Sequence, residues 1–272
     1  MNYITEHLQR PPPWSLLYAD DVVLISETLT EVQEQLNAWQ RALERHGLRV
    51  NRDKTEYMMC NLSGGDANNN ASVMIEGSSL KQVQEFKYLG SIVAPKQATE
   101  KDIQHRITTA WLKWRSLSGV LCDTRMPIKL KGQVYKQAVR PALIYGSECW
   151  PMRKEDEQRI HVTEMKMLRW AGGVTRLDRI RNEYIRGTFK VIKFEDKLRE
   201  NRLRWYGHVM RRDQDHMTRA VMQIEEMKRG RGRPAATWKS TIEKDLKANN
   251  VDAGTTQNRL LWRTRTRRAD PK

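Results

Sequence analysis

The stretch LLYADDVVLI, residues Leu16–Ile25, decides the fold of this chain. It places two adjacent carboxylates, Asp20 and Asp21, between two short apolar runs. Runs of Leu, Val and Ile of this length predict two buried strands joined by a tight turn. Two neighbouring anions are costly to bring together unless a cation or water reaches them. The sequence therefore predicts a β-hairpin with the carboxylate pair at its tip.

The carboxylate pair allows two interpretations. Mg²⁺ takes carboxylate oxygens, usually from one or two side chains together with substrate phosphates, so the pair suits half of a phosphoryl-transfer metal site. An Asp-Asp turn in solvent is also a common turn composition. These residues alone favour neither interpretation.

Positive charge is concentrated in one part of the chain. The net charge is +16 over 272 residues, but residues 1–100 carry −4 and residues 101–272 carry +20. An excess of this size indicates a polyanionic partner. Nucleic acid is favoured over a solvated basic surface because the basic part also carries most of the tryptophans. Aromatic rings among Arg and Lys suit base stacking as well as helix cores.

The cysteines and the apolar runs exclude several classes of protein. Cys60, Cys122 and Cys149 are far apart and odd in number, so neither a disulfide framework nor a zinc site is indicated. The chain has no signal-peptide pattern, and no apolar run approaches the ~20 residues of a membrane span. The sequence therefore predicts a cytoplasmic or nuclear protein with no membrane partner.

The first hundred residues combine short strands with one long helix. An amphipathic helix of about 17 residues follows the hairpin, with Thr30 and Gln33 as its predicted capping pair and Gly47 at its end. A turn is predicted at Glu76-Gly77. Short strands are predicted at Leu48–Val50, Thr55–Cys60, Val73–Ile75 and Tyr88–Val93.

From Thr99 onward the apolar pattern is helical. Helices are predicted at 99–119, 127–140, 155–170, 194–210 and 238–248. Pro141 is expected to end the second of them.

The predicted fold class is α+β, a small antiparallel hairpin sheet followed by a mostly helical region. The strand-to-helix change near residue 95 divides the chain. The predicted parts are a disordered lead-in at 1–13, a β-rich part at 14–95, a helical basic region at 96–226, and a basic tail at 227–272 with one short helix.

Several motifs together resemble reverse transcriptases, especially those encoded by non-LTR retrotransposons. They are YADD (18–21), the amphipathic helix, Gly47 with Asn51 and Lys54-Thr55, and FKYLG (86–90), in the order and spacing of that family. YADD alone is a moderate signal, and FKYLG at this distance makes the combination specific. The resemblance covers residues 14–250 and continues through YGSE (145–148), LRWYGHV (203–209) and GRP (232–234).

The resemblance implies roles for individual residues. Asp20 and Asp21 match two catalytic carboxylates of the polymerase palm and imply Mg²⁺ as the cofactor, in a two-metal arrangement. Lys54 matches a lysine suggested to protonate the leaving pyrophosphate, although a solvated turn lysine fits it equally. The primer grip, or a plain core hairpin, is matched by Phe86, Lys87, Tyr88, Leu89 and Gly90.

The resemblance also implies a template–primer partner, RNA or DNA. The helices after residue 95 match the polymerase thumb, whose basic face would contact the phosphate backbone. The candidate nucleic-acid-binding residues are Arg199, Arg202, Arg204, Arg211, Arg212, Arg229, Arg231 and Arg233.

Parts of the family pattern have no match in this chain. The family's third catalytic aspartate lies on an earlier strand, but Glu6 is the sole acidic residue before Tyr18. The fingers, an endonuclease domain and a Cys/His knuckle have no match either. We therefore expect a late palm, thumb and basic tail that does not polymerise by itself. An exposed sheet edge would make self-association a hazard.

Residues 228–234, KRGRGRP, favour a different kind of function. Arg-Gly-Arg-Pro resembles the core of an AT-hook, which lays Arg side chains into a narrow A·T minor groove. A flexible basic loop or a nuclear-import signal fits the same composition. The alternatives to a polymerase fragment are a non-catalytic nucleic-acid-binding protein and a decayed retroelement remnant.

Overall fold

The computed structural model describes residues 2–60, 72–95, 97–224 and 236–271. The chain divides into two compact units, residues 1–98 and 99–272. Short two-stranded sheets and one long helix make up the first unit, and helices dominate the second. The predicted α+β class is therefore confirmed. No helix in the described part of the chain is both long and apolar enough to cross a membrane.

The first unit is built from hairpins around a helix. Among its described residues, strand pairing forms three antiparallel hairpins and one parallel pair, between Glu56–Tyr57 and Lys81–Gln82. In chain order its elements are α1 (Asn2–Thr5), β1 (Ser15–Tyr18), β2 (Asp21–Leu24), α2 (Leu29–Glu44), β3 (Glu56–Tyr57), β4 (Met74–Ile75), β5 (Ser78–Ser79), β6 (Lys81–Gln82), β7 (Phe86–Tyr88) and β8 (Ser91–Val93).

The predicted β1–β2 hairpin is confirmed. Tyr18 pairs with Asp21, which leaves Ala19 and Asp20 as a two-residue turn. Ala19 has a φ of +50°, and the tight turns favoured in hairpins place at least one central residue at positive φ. The strands are mostly half-buried instead of fully buried as expected, because β1 and β2 pair only with each other within the described residues.

Helix α2 covers the small core of the first unit. Val73, Ile75 and Leu80 form the buried cluster, and Val32 and Leu36 of α2 pack against it. The predicted amphipathic helix is thus confirmed, and its apolar stripe faces the strands that follow it in sequence.

The N-terminus of α2 differs from the predicted capping pair. Thr28, not Thr30, is the cap, and its Oγ1 accepts a hydrogen bond from the Glu31 N–H at 3.2 Å. Gln33 binds strand β4 instead: its side-chain amide bonds the backbone N–H and C=O of Met74 at 2.7 and 2.8 Å. The earlier start of the helix turns Gln33 away from the helix end and towards the strand.

The predicted disordered lead-in is wrong for residues 2–8, which are helical. Helix α1 continues into a 3₁₀ turn at Glu6–Leu8. It packs against α2, and Thr5 is fully buried. Burial against α2 provides the stabilisation that the polar local sequence does not predict.

Two predicted strands are also placed differently. Leu48–Val50 forms no strand, and strand pairing within Thr55–Cys60 is limited to β3. The predicted strand Tyr88–Val93 contains the turn of the β7–β8 hairpin. Leu89 and Gly90 have φ values of +47° and +87°, and two consecutive positive φ values are the mark of a tight hairpin turn.

The described parts of the second unit are dominated by helices. The helices are α3 (Ala98–Ser116), α4 (Ser118–Leu121), α5 (Ile128–Val134), α6 (Arg140–Ile144), α7 (Lys154–Ala171), α8 (Asn182–Phe189), α9 (Phe194–Met210), α10 (Met217–Ala220), α11 (Trp238–Asn249) and α12 (Arg259–Thr266). The sequence located α3, α7, α9 and α11 and missed α8 and α12.

Pro141 does not end the second predicted helix. A π turn at Tyr135–Val139 joins α5 to α6, and Pro141 lies in the first turn of α6. Proline lacks the N–H that would bond a carbonyl one turn back, and the π turn lies in that preceding turn, where the helical bonding pattern changes. The helix therefore continues to Ile144.

A large core joins α3, the π turn, α7 and α9. Trp114, Tyr135, Leu168 and Phe194 are almost completely buried in it. Helices α5 and α8 pack so closely at Gly132 that a Cβ on this residue would overlap the backbone of Phe189 in α8.

Helices α9, α11 and α12 share a second core. Leu203 and Tyr206 of α9 pack with Ile242 and Trp262, and the Trp262 Nε1–H donates to the Leu203 carbonyl at 3.0 Å. The predicted tail at 227–272 with one short helix is therefore wrong. Its described part contains two helices, α11 and α12, which both pack against α9. They do so because buried apolar residues, among them Ile242 and Trp262, lie within this arginine-rich sequence.

Candidate functional site

The carboxylate pair lies at the tip of the β1–β2 hairpin. Asp20 occupies the turn and Asp21 begins β2. Both residues are exposed, so water reaches the two neighbouring anions. Ala19 adopts a conformation that glycine adopts more easily, so the hairpin turns tightly just before the two carboxylates.

The β7–β8 hairpin lies close enough to Asp21 for its charge to act on Tyr88. Tyr88 is half-buried, and both its burial and the negative charge of Asp21 raise the pKa of its phenol. A nearby anion disfavours the tyrosinate form. The charge of the YADD motif therefore reaches the FKYLG block, although the two are far apart in sequence.

The donor set of the hairpin fits part of a magnesium site. Magnesium in nucleotide-processing sites is held by one or two carboxylates, with substrate phosphates and water completing the shell. Asp20 and Asp21 supply two such carboxylates. Within the described residues, no group of three or more His, Cys, Asp or Glu side chains is placed to hold a metal ion.

Lys54 ends a short 3₁₀ turn at Arg52–Lys54. Its backbone N–H donates to the Asn51 side chain at 3.2 Å, so Asn51 of the matched motif serves as the cap of this turn. The Lys54 side chain is exposed. This geometry agrees with a solvated turn lysine, and the proton-donor role stays a prediction.

The primer-grip block forms the β7–β8 hairpin. Phe86 and Tyr88 are half-buried, whereas Lys87 and Leu89 are exposed. Gly90 completes the turn. Side chains alternate between the two faces along β7, so Phe86 and Tyr88 share the half-buried face and Lys87 points to solvent from the other. Leu89 is exposed in the turn that follows.

Two of the arginines predicted to bind nucleic acid are engaged in ion pairs. Arg202 is buried and bonds Asp245 of α11 through Nε and Nη2 at 2.6 and 3.0 Å. Arg199 is partly exposed and bonds Asp196 at 3.1 Å and Asp245 at 3.4 Å. Arg202 therefore fastens α11 to α9, and its guanidinium is buried against Asp245 instead of exposed.

The remaining arginines of this helix end are at the surface. Arg204 and Arg212 are exposed, and Arg211 is half-exposed with its Nη1 donating to the Thr256 carbonyl at 2.8 Å. Arg229, Arg231 and Arg233 lie outside the described residues. The minor-groove hypothesis for that segment therefore stays a prediction, which competition between A·T-rich and G·C-rich duplexes would test.

Sequence reasoning missed two residues beside these arginines. Trp205 and His208 are exposed, and together with Arg204 and Arg212 they line a cavity of about 490 Å³. The pKa of His208 is lowered by its partial burial and then by four surrounding arginines. The spacing of residues 204 and 208 could have revealed part of this surface, because residues four apart share one face of a helix.

Comparison with known proteins finds a family to which part of the first unit is similar. Residues 1–93 match the family described as reverse transcriptase (RNA-dependent DNA polymerase), and this range lies within the first unit, residues 1–98. The carboxylate hairpin and the β7–β8 hairpin are both inside the matched range.

Two relatives extend the likeness beyond that unit. A putative uncharacterized transposon-derived protein of Caenorhabditis elegans is 25% identical over 249 residues, which are 88% of this chain and 87% of the relative. The RNA-directed DNA polymerase from mobile element jockey of Drosophila funebris is 28% identical over 193 residues. That match covers 67% of this chain but 20% of the polymerase. No solved structure matches the chain.

Proposed function

We propose that this chain binds template–primer nucleic acid as a relative of non-LTR retrotransposon reverse transcriptases and incorporates no nucleotide by itself. The observation that carries the proposal is the exposed Asp20-Asp21 pair at the tip of the β1–β2 hairpin, inside the range that matches the reverse-transcriptase family. In such a site the carboxylates would hold Mg²⁺, which supplies positive charge to substrate phosphates. The β7–β8 hairpin beside them would position the end of a primer.

The charge of the second unit supports the nucleic-acid part of the proposal. Residues 101–272 carry a net charge of +20, and Arg204 and Arg212 are exposed. Exposed cations of this kind bind phosphates by releasing counterions, which makes the affinity strongly dependent on salt.

The proposed lack of incorporation follows from the carboxylate count at the site. A two-metal mechanism clamps both the attacking and the leaving oxygens. Asp20 and Asp21 come from a single turn, and no third acidic side chain joins them among the described residues. Two exposed carboxylates suit one shared cation better than two separate ones.

The test combines binding and synthesis on the purified 272-residue chain. Template–primer binding is measured by fluorescence anisotropy across a salt series, and incorporation of labelled dNTP with Mg²⁺ is scored in the same tubes. We expect binding with a steep salt dependence and no incorporation. If the chain incorporates nucleotide and Asp20→Ala abolishes that activity, the proposed lack of incorporation is refuted. If the chain does not bind template–primer at low salt, the proposed nucleic-acid binding is refuted.

Matched variants show whether the arginines act through phosphates. Arg204→Gln and Arg212→Gln should each reduce the slope of log K against log[salt] by about 1. Lys166→Gln removes one exposed charge from α7 and should change the slope less, because Lys166 does not line the cavity.

A further inference from the structure

The cavity beside the C-terminal half of α9 combines an aromatic face with a row of cations. It is formed by α9, the turn at Ser147–Cys149 and the start of α10. Arg204 and His208 lie about one helical turn apart on α9, roughly 6 Å along its axis, and Arg212 follows just after the helix ends at Met210. Trp205 lies beside this row, and we refer to the cavity as the Trp205 groove.

Positive charge converges on the Trp205 groove. Arg211, Arg259, Arg204 and Arg212 all act to lower the pKa of His208, after the effect of its partial burial. Arg204 and Arg212 line the groove beside His208, so the groove attracts anions. Glu148 is the single carboxylate among its lining residues.

The aromatic face is accessible. Trp205 is 36% exposed, and its ring centroid lies 6.4 Å from that of His208 with the planes inclined by 43°. The neighbouring aromatic residues of the same region have structural roles instead. Trp262 is buried and Trp238 Nε1 donates to the Glu148 carbonyl at 2.7 Å.

The size of the groove suits a small ligand group. Its volume of about 490 Å³ falls within the roughly 300–1,000 Å³ of typical ligand pockets. A groove with aromatic and cationic sides matches the two parts of a nucleotide. The base offers a π face to Trp205, and the phosphates offer charge to Arg204 and Arg212.

We infer that the Trp205 groove binds an unpaired nucleotide of single-stranded nucleic acid, with the base on Trp205 and the flanking phosphates on Arg204 and Arg212. A paired base is stacked on both faces within its duplex, so only an unpaired one can place a face on Trp205. This inference rests on the proposed nucleic-acid binding and names the class of strand that one of its surfaces selects.

The test uses the full chain and four labelled probes of equal length at about 0.15 M salt, where exposed charges more than roughly 8 Å apart are largely screened. The probes are single-stranded RNA, single-stranded DNA, a single strand with abasic positions, and a blunt duplex. Binding of either natural single strand more tightly than the abasic strand supports the inference. The abasic strand keeps the phosphates and removes the bases, so it isolates the stacking contribution.

Variants at Trp205 locate that contribution. Trp205→Leu should weaken binding to the natural single strands by roughly 5- to 100-fold and change binding to the duplex by less than about twofold. Trp205→Phe keeps an aromatic face and should restore most of the loss. Circular dichroism and thermal unfolding establish that both variants are folded, and Arg212→Gln provides a second, independent change in the same groove.

Two results would overturn the inference and leave the proposed function standing. One is equal binding of abasic and natural strands by the unmodified chain. The other is a folded Trp205→Leu variant that binds single strands as tightly as the unmodified chain does. If the unmodified chain binds none of the four probes and no template–primer, the proposed function itself is refuted.

Discussion

Arg202 and Asp245 form a bidentate ion pair that fastens α11 to α9. Nε and Nη2 of Arg202 lie 2.6 and 3.0 Å from the two carboxylate oxygens, and both side chains are less than a tenth exposed. Arg199 adds a longer bond to the same carboxylate at 3.4 Å. Asp245 therefore compensates a buried guanidinium whose Nη1 makes no hydrogen bond within the described residues.

Removing the charge of Asp245 should destabilise the second unit strongly. Asp245→Asn leaves Arg202 buried without a carboxylate, and breaking a buried pair from one side costs about 3–5 kcal/mol. Urea unfolding measures the loss. Lys247→Gln, an exposed position on the same helix, should stay within about 0.5 kcal/mol of the unmodified chain. Equal stability of the two variants would show that the ion pair does not hold α11.

Two glycines near the α5–α8 contact should respond in opposite directions. A Cβ on Gly132 would overlap the Phe189 carbonyl, whereas a Cβ on Gly187 of α8 meets open space. Gly132→Ala should cost about 1–3 kcal/mol through overpacking. Gly187→Ala should stabilise by up to about 1 kcal/mol, because alanine favours the helix. Thermal unfolding measures the change in stability of both variants. A change of the same sign in both would contradict the close packing of α5 against α8.

The pKa of Tyr88 should report the charge at the carboxylate pair. Asp21 raises the pKa of Tyr88, so Asp21→Asn should lower that pKa towards the ordinary tyrosine value. Binding of Mg²⁺ to the hairpin should act in the same direction, because the cation offsets the negative charge. NMR of Tyr-ring-labelled protein follows the titration.

Asp20→Asn serves as the control in that titration and should move the pKa of Tyr88 less, since Asp20 is not among the groups that raise it. An unchanged Tyr88 titration in Asp21→Asn would contradict the electrostatic effect of Asp21 on Tyr88.

Glu164 should make stability depend on pH. Its carboxylate accepts hydrogen bonds from Tyr135 and Arg186, but burial is the larger effect and raises the pKa of Glu164 to about 7. The folded state therefore holds the proton more tightly than the unfolded chain. The resulting stabilisation is complete at pH values below the ordinary pKa of glutamate and is lost as the pH rises through 7.

The comparison with Glu164→Gln isolates this titration, because glutamine keeps the shape and does not ionise. Relative to that variant, the free energy of unfolding of the unmodified chain should fall between about pH 4.5 and pH 7. Urea unfolding at a series of pH values gives both profiles. Parallel profiles would mean that the pKa of Glu164 is the same in the folded and unfolded states, so that its ion pair with Arg186 offsets its burial.

Local sequence determined the features that depend on periodicity and turn chemistry. The apolar runs around Asp20 and Asp21 determined the hairpin, and the stripe of α2 determined its buried face. The long helices α3, α7 and α9 followed from apolar spacing in the same way. The short elements were harder to predict, because two or three residues carry too little pattern and their pairing partners lie elsewhere in the chain.

Tertiary structure decided which basic residues are available to a ligand. In the sequence, Arg202, Arg204 and Arg212 are equivalent basic residues in and just after α9. The structure separates them because Asp245, distant in sequence, draws Arg202 into the protein and leaves the other two exposed.

The Trp205 groove is likewise a product of packing, since three separated segments form it. Periodicity is encoded locally and can be read from the sequence. A charge partner or a cavity wall is supplied by another part of the chain, so only the folded arrangement fixes it.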